Sequence, residues 1–302
     1  MATDLVRPRG LRPGDRVGII SPAGPVDTEA LRPGILMLEE AGYEVVVGDY
    51  ACGGDGYLAA RDEQRLDDLH RMFADPGIAA VFCSRGGYGS FRILPEIRYE
   101  VMRRNPKIFV GYSDITALHA AVFKYAGLVT FHGPMVREFP VKSPENFQAL
   151  LSLLRGERPD EFALTPGQVL VRGKARGPLL GGNLTTLCHL VGTPYMPRLD
   201  GCLLIVEERG EAAYRVDRLL THLWVSGRLD KLAGLAAGMF LDCGPQEAVY
   251  EILESLGRRL GVPVVTGLPF GHGEENRALP LGVPAELDTY GGTLSITDAG
   301  VV

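Results

Sequence analysis

Three things are scarce in this sequence of 302 residues: cysteine, long apolar runs and an excess of positive charge. The five cysteines are scattered and form no C-x-x-C pair, which is not the pattern of a disulfide framework or a zinc site. No stretch approaches the ~18 apolar residues of a membrane-spanning helix, and the N-terminus lacks the apolar core of a secretory signal. We therefore expect reduced, mostly buried thiols, no metal and a cytoplasmic location.

The charge balance excludes further classes of partner. Thirty-seven acidic residues outnumber thirty-one basic ones, which gives a formal net charge of −6. Surfaces that bind nucleic acid are normally basic, and so are segments that bind anionic membranes. Neither partner is expected. The length predicts about two domains of roughly 150 residues each, and such domains bury a core without disulfides.

The first half of the chain alternates short β-branched runs with helical patterns. This alternation predicts a largely parallel sheet with helices on both faces, as in flavodoxin-like or Rossmann-like α/β domains. Ligands bind at the carboxyl ends of the strands in such sheets. Strands are predicted at 16–20, 43–47, 78–83, 107–110 and 128–131, and helices at 27–41, 62–73 and 115–125.

The second half has a different pattern. Periodicity weakens from 143 to 176, so we predict a linker at 157–176 between an α/β domain at 1–156 and a second domain at 177–302. Short strand runs and glycine-rich turns near the C-terminus predict that the second domain is β-rich, with a mixed or barrel-like sheet. Its predicted strands include 203–206 and 238–241, and its predicted helices are 214–224 and 248–260.

Ser113 follows a predicted strand and precedes a predicted helix, in the sequence Gly111-Tyr112-Ser113-Asp114. A sharp strand-to-helix turn exposes a serine hydroxyl and directs helix N-terminal amides at the same point, where they can stabilise an oxyanion. The alternative is that Ser113 or Asp114 only caps the helix, because Ile115 replaces the second glycine of the usual G-x-S-x-G pattern.

A glycine-rich loop, residues 84–90, follows the third predicted strand. Its glycines would let backbone amides approach a ligand closely, as a phosphate cradle or as half of an oxyanion hole. The loop does not match G-x-G-x-x-G or the Walker pattern. A plain tight turn is the alternative interpretation.

Carboxylates and a histidine complete the set of candidate catalytic residues. Glu207 and Glu208 end a strand, and His272 lies between two glycines that leave its imidazole accessible. A solvated strand end and a structural loop histidine are the alternatives. His132, at another strand end, could also line a site. The chain order serine, acid, histidine matches one known catalytic triad, in which the imidazole accepts the serine proton and the carboxylate fixes its tautomer.

Four segments of the chain resemble the LD-carboxypeptidase family of serine peptidases (family S66), which also contains the microcin C self-immunity proteins. Leu11-Arg12-Pro13-Gly14-Asp15 and Leu180-Gly181-Gly182-Asn183-Leu184 are also similar to family sequence, so the resemblance spans almost the whole chain. The four segments are Arg85-Gly86-Gly87-Tyr88-Gly89, Gly111-Tyr112-Ser113-Asp114, Val206-Glu207-Glu208 through Arg218, and Gly271-His272-Gly273 with Leu279-Pro280-Leu281-Gly282.

The resemblance implies a role for each candidate residue. Ser113 would be the nucleophile, Glu207 the acid and His272 the base, with Glu208 as the alternative acid because the family usually has Asp after Glu. The amides of Asp114 and of a glycine in the Gly86-Gly87 pair would form the oxyanion hole. Residues implied to bind substrate are Arg85, Tyr88 and Asn183.

The resemblance also implies an architecture and an activity. Family members pair an N-terminal α/β domain with a C-terminal β-rich domain of the swivelling β/β/α type, commonly as homodimers, so the triad would form across the domain interface. The expected reaction is hydrolysis, without a cofactor, of the bond between an L-centre and a terminal D-amino acid, as in cytoplasmic recycling of murein tetrapeptides. The alternatives are cleavage of acyl-adenylate antibiotics and non-enzymatic binding of small peptides or nucleotides.

Overall fold

A computed structural model describes residues 4–157 and 161–302, and this part of the chain contains two β-sheets with helices packed against them. The strands in chain order are β1 (Arg16–Ile20), β2 (Glu44–Val47), β3 (Ile78–Cys83), β4 (Ile108–Gly111), β5 (Thr130–His132), β6 (Phe162–Ala163), β7 (Val169–Val171), β8 (Lys174–Asn183), β9 (Leu203–Arg209), β10 (Gly234–Leu241), β11 (Val264–Val265), β12 (Leu279–Leu281), β13 (Pro284–Asp288) and β14 (Thr293–Ile296). The α-helices are α1 (Thr28–Glu40), α2 (Asp62–Ala74), α3 (Ser90–Ile93), α4 (Tyr99–Arg104), α5 (Thr116–Ala126), α6 (Pro144–Leu154), α7 (Leu184–His189), α8 (Ala213–Val225) and α9 (Gln246–Leu260).

The first sheet has six strands in the order β12-β5-β4-β3-β1-β2. Its five N-terminal strands are parallel, which confirms the predicted α/β fold, and β12 runs antiparallel to β5. Side chains of β1 alternate between two apolar clusters: Val17 and Ile19 pack with residues of α1 and α6, whereas Ile20 packs with residues of α2 and α5. Helices therefore cover both faces, and the carboxyl end of the buried strand β4 opens near the middle of the sheet.

The second sheet has eight strands in the order β6-β14-β13-β8-β9-β10-β11-β7. Strands β8 to β11 are parallel, and the remaining pairings are antiparallel, which confirms the predicted mixed, β-rich character of this half. Strand β9 lies near the centre, and six of its seven residues are buried. Its carboxyl end carries Glu207 and Glu208.

Strand pairing crosses the predicted domain limits. Strand β12 lies in the segment assigned to the second domain, yet it pairs with β5 and forms an edge of the first sheet. The predicted linker at 157–176 contains β6 and β7, which belong to the second sheet, while residues 158–160 of that linker lie outside the described residues. Short strands carry little periodicity, and a strand's sequence does not specify its partner. The division at 1–156 and 177–302 thus stays a prediction.

Local sequence explains how individual elements begin. Helix α1 starts after Asp27, whose carboxylate caps the helix by accepting a hydrogen bond from the amide of Ala30 at 2.7 Å. The helix continues through Pro33, which lies inside it. All five cysteines are free thiols, and Cys83 is fully buried in β3. In the described part of the chain, no helix has the length and apolar character needed to cross a bilayer.

Candidate active site

Ser113 occupies a strained turn directly after strand β4. Its φ angle is +64°, whereas Tyr112 before it is extended, and residues Ser113–Ile115 form a 3₁₀ turn that leads into α5. An L-residue in this left-handed region is uncommon and costs on the order of 1–3 kcal/mol, and such residues concentrate at functional sites. The turn has the strand–serine–helix geometry of a nucleophile elbow even though the second glycine of the usual motif is absent.

Glu207 and His272, which are 65 residues apart in sequence, form a close pair. The Nδ1 atom of His272 lies 2.6 Å from Oε2 of Glu207, whose side chain is fully buried. Gly271 makes this approach possible, because a Cβ at that position would lie 2.7 Å from the same carboxylate oxygen. The distance is that of a charge-assisted hydrogen bond, which fixes the ring orientation and leaves Nε2 available for another partner.

Glu208 points away from His272. Its carboxylate accepts hydrogen bonds from the side-chain amide of Asn183 at 3.1 Å and from the backbone amide of Thr185 at 2.8 Å. These groups lie at the start of α7, so Glu208 stabilises a helix N-terminus. Adjacent residues of a strand face opposite sides, and this alternation separates the two carboxylates.

The glycine-rich loop approaches the serine. A Cβ on Gly86 would lie 3.0 Å from Cβ of Ser113 and 3.1 Å from its Oγ, so only glycine lets the backbone come this close. The side chain of Asp114 turns into the protein and accepts a hydrogen bond from the amide of Ser90 at 2.8 Å. Burial raises the pKa of this Asp114 carboxyl, and the Ser90 amide opposes that rise. For an oxyanion, the contribution left to Asp114 is its backbone amide.

A cleft of about 650 Å³ brings the candidate residues from both halves of the chain together. Ser113, Gly86 and Gly87 line it from the first sheet, and His272 lines it from the second half. Further lining residues, which the sequence analysis did not single out, are Ala30, Pro33, Tyr112, Met135, Arg137, Glu138, Pro140, Val141, Lys142 and Arg209.

Of the three residues expected to bind substrate, the structure places Arg85 in the cleft. Tyr88 is half-exposed and packs its ring 5.6 Å from that of Tyr57, and it is absent from the described lining of the cleft. Asn183 is also outside that lining, since its side chain caps α7 by accepting from the amide of Thr186 and donates to Glu208. A substrate role for Tyr88 and Asn183 remains a prediction without a contact in the cleft.

The loop that carries His272 is held by residues from the first half of the chain. Lys142 Nζ donates to the carbonyl of Gly273 at 2.7 Å, one residue after the histidine. Asn146 on α6 donates to the carbonyl of Glu274 at 2.9 Å and accepts from the amide of Asn276 at 3.1 Å. These three bonds fix the histidine loop relative to the part of the chain that carries Ser113.

The imidazole of His272 packs against Tyr112, which is itself held by Glu138. The ring centroid of Tyr112 lies 4.9 Å from that of His272, and the Tyr112 hydroxyl donates to Glu138 Oε1. Burial and the neighbouring Glu138 raise the pKa of Tyr112 far above its usual range, so it stays a neutral donor. Lys142 lies 5.5 Å from the centroid of the same ring. The general orientation of His272 is thus set by packing as well as by Glu207.

His132 and His119 lie beneath the turn and not in the cleft. His132 is fully buried between the rings of Tyr112 and Phe270, and neither of its ring nitrogens has a partner among the described protein atoms. Burial lowers the pKa of His132 well below its usual value and that of His119 to about 4, which keeps both imidazoles neutral. His119 Nε2 lies 2.8 Å from the carbonyl oxygen of Gly111 and so braces the end of β4.

Two domain models of one protein family match this chain. The sequence model of the LD-carboxypeptidase N-terminal domain matches residues 17–133, and that of the LD-carboxypeptidase C-terminal domain matches residues 176–287. The chain belongs to the LD-carboxypeptidase family. It is therefore a hydrolase of the peptidase class, and the resemblance seen in its motifs is confirmed.

Individual relatives agree with this assignment. The chain is 42% identical to a putative carboxypeptidase of Streptomyces coelicolor, with 97% of this chain and 96% of that protein covered. It is 38% identical to a probable murein peptide carboxypeptidase of Bacillus subtilis, with 98% and 95% covered. Similar solved structures include muramoyltetrapeptide carboxypeptidase from Oxalobacter formigenes (TM-score 0.85, 32% identity, 94% and 98% covered) and a microcin C7 self-immunity protein in complex with aspartyl sulfamoyl adenosine (TM-score 0.89, 26% identity, 98% and 100% covered).

Sequence reasoning missed several functional residues of this LD-carboxypeptidase. Lys142 and Asn146 hold backbone atoms that lie about 130 positions away in the chain, and Arg137 lies outside every recognised motif. Long-range contacts of this kind have no local sequence pattern. For Arg209 a signal was available, because it ends the strand that carries Glu207 and Glu208.

Proposed function

We propose that this chain is a serine-type LD-carboxypeptidase that releases the terminal D-amino acid of murein tetrapeptides through an acyl-enzyme. Ser113 is the nucleophile, and Glu207 and His272 complete the triad. The observation that carries the proposal is the 2.6 Å contact between Glu207 and His272, in a cleft that both His272 and the strained Ser113 line. The names of the Bacillus and Oxalobacter relatives support the substrate class.

The mechanism follows from this geometry. His272 Nε2 accepts the proton of Ser113 Oγ as the oxygen attacks the carbonyl carbon of the L,D-bond, and Glu207 stabilises the resulting imidazolium. The amides of Asp114 and Gly86 hold the tetrahedral oxyanion. As the C–N bond breaks, His272 returns the proton to the nitrogen of the leaving D-amino acid. His272 then takes a proton from a water that attacks the ester carbonyl, and it passes this proton to Ser113 Oγ as the C–O bond breaks and the shortened peptide leaves as its acid.

Cleavage of acyl-adenylates is the second candidate, and the likeness to the self-immunity protein bound to aspartyl sulfamoyl adenosine favours it. The chemistry at Ser113 would be the same, and only the pocket would differ. The higher identity to relatives named as carboxypeptidases places murein peptides first. A purely binding role is disfavoured because the serine, the glutamate and the histidine are all present.

The test is to incubate the purified protein with a murein tetrapeptide, an aminoacyl sulfamoyl-adenylate and a simple peptide ending in D-alanine. Mass spectrometry should detect free D-alanine from the tetrapeptide, and a Ser113→Ala variant serves as the matched control. Preferred cleavage of the adenylate would move the function to the second candidate. Binding of all three compounds without any cleavage would leave only a binding role.

The family resemblance also supports two finer proposals, a cytoplasmic location and a homodimer. Fractionation of cells that express the tagged protein tests the first, and light scattering on the purified chain tests the second. A monomer at micromolar concentration, or recovery outside the cytoplasm, would contradict the respective proposal.

A further inference from the structure

The cleft is positively charged although the whole chain carries a net charge of −6. Four cationic side chains line it, and Glu138 is the single acidic side chain in its described lining. A cleft of one sign on a protein of the opposite sign concentrates ligands of complementary charge. The four cations are Arg85, Arg137, Lys142 and Arg209.

Two of these cations already have partners. Lys142 donates to the backbone of the histidine loop and lies 3.8 Å from Glu138, and Arg209 lies 3.7 Å from Asp242. Glu138 itself is occupied, because one carboxylate oxygen accepts from the hydroxyl of Tyr112 and the other accepts from the amide of Met135 at 3.1 Å. Its single negative charge acts on both Lys142 and Arg85, so one carboxylate faces four cations and the cleft keeps a net positive charge.

Arg85 and Arg137 are the two cations left over. Within residues 4–157 and 161–302, neither forms an ion pair with a carboxylate. Arg85 is half-buried, and its Nη1 donates to the carbonyl of Pro25 at 3.1 Å, which anchors the guanidinium. Burial and the charge of Arg137 lower the pKa of Arg85, and the charge of Glu138 opposes this shift without cancelling it. The two guanidinium groups line the same cleft and repel each other. An anion bound between them would offset this repulsion.

We propose that Arg85 and Arg137 bind the terminal carboxylate of the peptide and thereby restrict hydrolysis to its last bond. The inference rests on the proposed function. A terminal carboxylate lies one residue beyond the attacked carbonyl, about 3.8 Å along the Cα trace. Arg85 directly precedes Gly86, whose backbone lies close to Ser113, and both residues line the same cleft as Ser113. Guanidinium groups match carboxylates with paired hydrogen bonds, so they distinguish a free carboxylate from an amide.

The experiment compares kcat/KM for two murein tetrapeptides, one ending in D-alanine and the other in D-alaninamide. A third peptide, amidated only at its internal carboxylate, tests whether that group is the anion recognised instead. The wild-type enzyme should prefer the free acid by about 100-fold, the range expected when a charged hydrogen-bonding partner is lost. Arg137→Gln and Arg85→Gln should reduce this preference to about 10-fold or less by slowing cleavage of the acid alone.

Arg209→Gln is the matched control, because it removes one charge from the same cleft. It should leave the preference for the acid unchanged. Three outcomes would overturn the inference. The first is an equal fall of the preference for the acid in Arg209→Gln, and the second is an unchanged preference in both Arg85→Gln and Arg137→Gln. The third outcome is a preference that depends on the internal carboxylate and not on the terminal one. Arg137 is exposed, so its variant should fold even if Arg85→Gln does not.

A binding measurement separates this inference from the proposed function. If the wild-type enzyme cleaves neither peptide, the proposed function fails, whereas cleavage with unaltered discrimination defeats only the role of the two arginines. Calorimetric titration of both peptides into Ser113→Ala should show tighter binding of the acid, and adding Arg137→Gln should abolish the difference. Equal affinities in Ser113→Ala would reject the carboxylate site without any need for turnover.

Discussion

Replacement of Glu207 by glutamine is the sharpest test of the proposed triad. The change keeps the size of the side chain and removes its charge. Glu207 is fully buried, and its Oε2 lies 2.6 Å from Nδ1 of His272. In the variant, an amide NH₂ turned toward Nδ1 would force the proton onto Nε2, where it blocks transfer from Ser113. An amide oxygen turned toward Nδ1 would keep the tautomer but lose the charge.

The magnitude follows from the geometry. Two unit charges about 4 Å apart interact by about 4 kcal/mol at an effective dielectric constant of about 20. Losing this interaction in the imidazolium-forming step corresponds to a rate decrease on the order of 10³. The wrong tautomer adds to the loss, and a triad carboxylate changed to its amide lowers kcat by about 10⁴ in serine proteases. We therefore expect Glu207→Gln to lose between 10³ and 10⁴ in kcat.

Glu208→Gln is the matched control at the next position of the same strand. Glu208 accepts hydrogen bonds from Asn183 and Thr185 at the start of α7, so its loss of charge should weaken a helix cap. We expect the free energy of unfolding to fall by about 1 kcal/mol while kcat remains near that of the wild type.

The assay is release of D-alanine from a murein tetrapeptide, followed by chromatography, with urea denaturation of both variants in parallel. A crippled Glu208→Gln enzyme beside a nearly normal Glu207→Gln enzyme would show that the acid has been assigned one residue too early. Equal activity in both variants would refute the triad mechanism.

Four further results are expected. Ser113→Ala should lower kcat on the order of 10⁶ without a change in Tm, and more than a tenth of wild-type activity would remove Ser113 from the mechanism. Activity should survive exhaustive chelation, because the described residues include no group of three potential metal-ligating side chains, and zinc-dependent recovery would argue against a serine nucleophile. Lys142→Met, which frees the carbonyl of Gly273, should lower kcat about 10- to 100-fold with little effect on KM. The pKa of His119 is about 4 in the folded protein and about 6.5 when unfolded, so the unfolded chain binds this proton first as the pH falls. The free energy of unfolding should thus decline by up to about 3 kcal/mol from pH 6.5 to 4, and a His119→Gln variant that declines equally would contradict this.

The sequence by itself determined the local structure around the proposed nucleophile. Strands β1 and β3 have the predicted bounds, and the parallel first sheet follows from their alternation with helices. The strand-to-helix turn at Ser113 was also predicted, since hydrophobic periodicity and turn residues act over a few positions. Motif order then indicated the family, and both domain models confirm it.

Tertiary structure alone decided which side chains meet. It separated Glu207 from Glu208, because strand alternation places one beside His272 and the other at the cap of α7. Asn183 lies at that same cap, and Tyr88 lies outside the described lining of the cleft. Strand β12 also pairs with β5 in the first sheet, and Lys142 donates a hydrogen bond to the loop that carries His272. Contacts between positions more than 100 residues apart depend on how sheets and loops pack, and no local pattern encodes them.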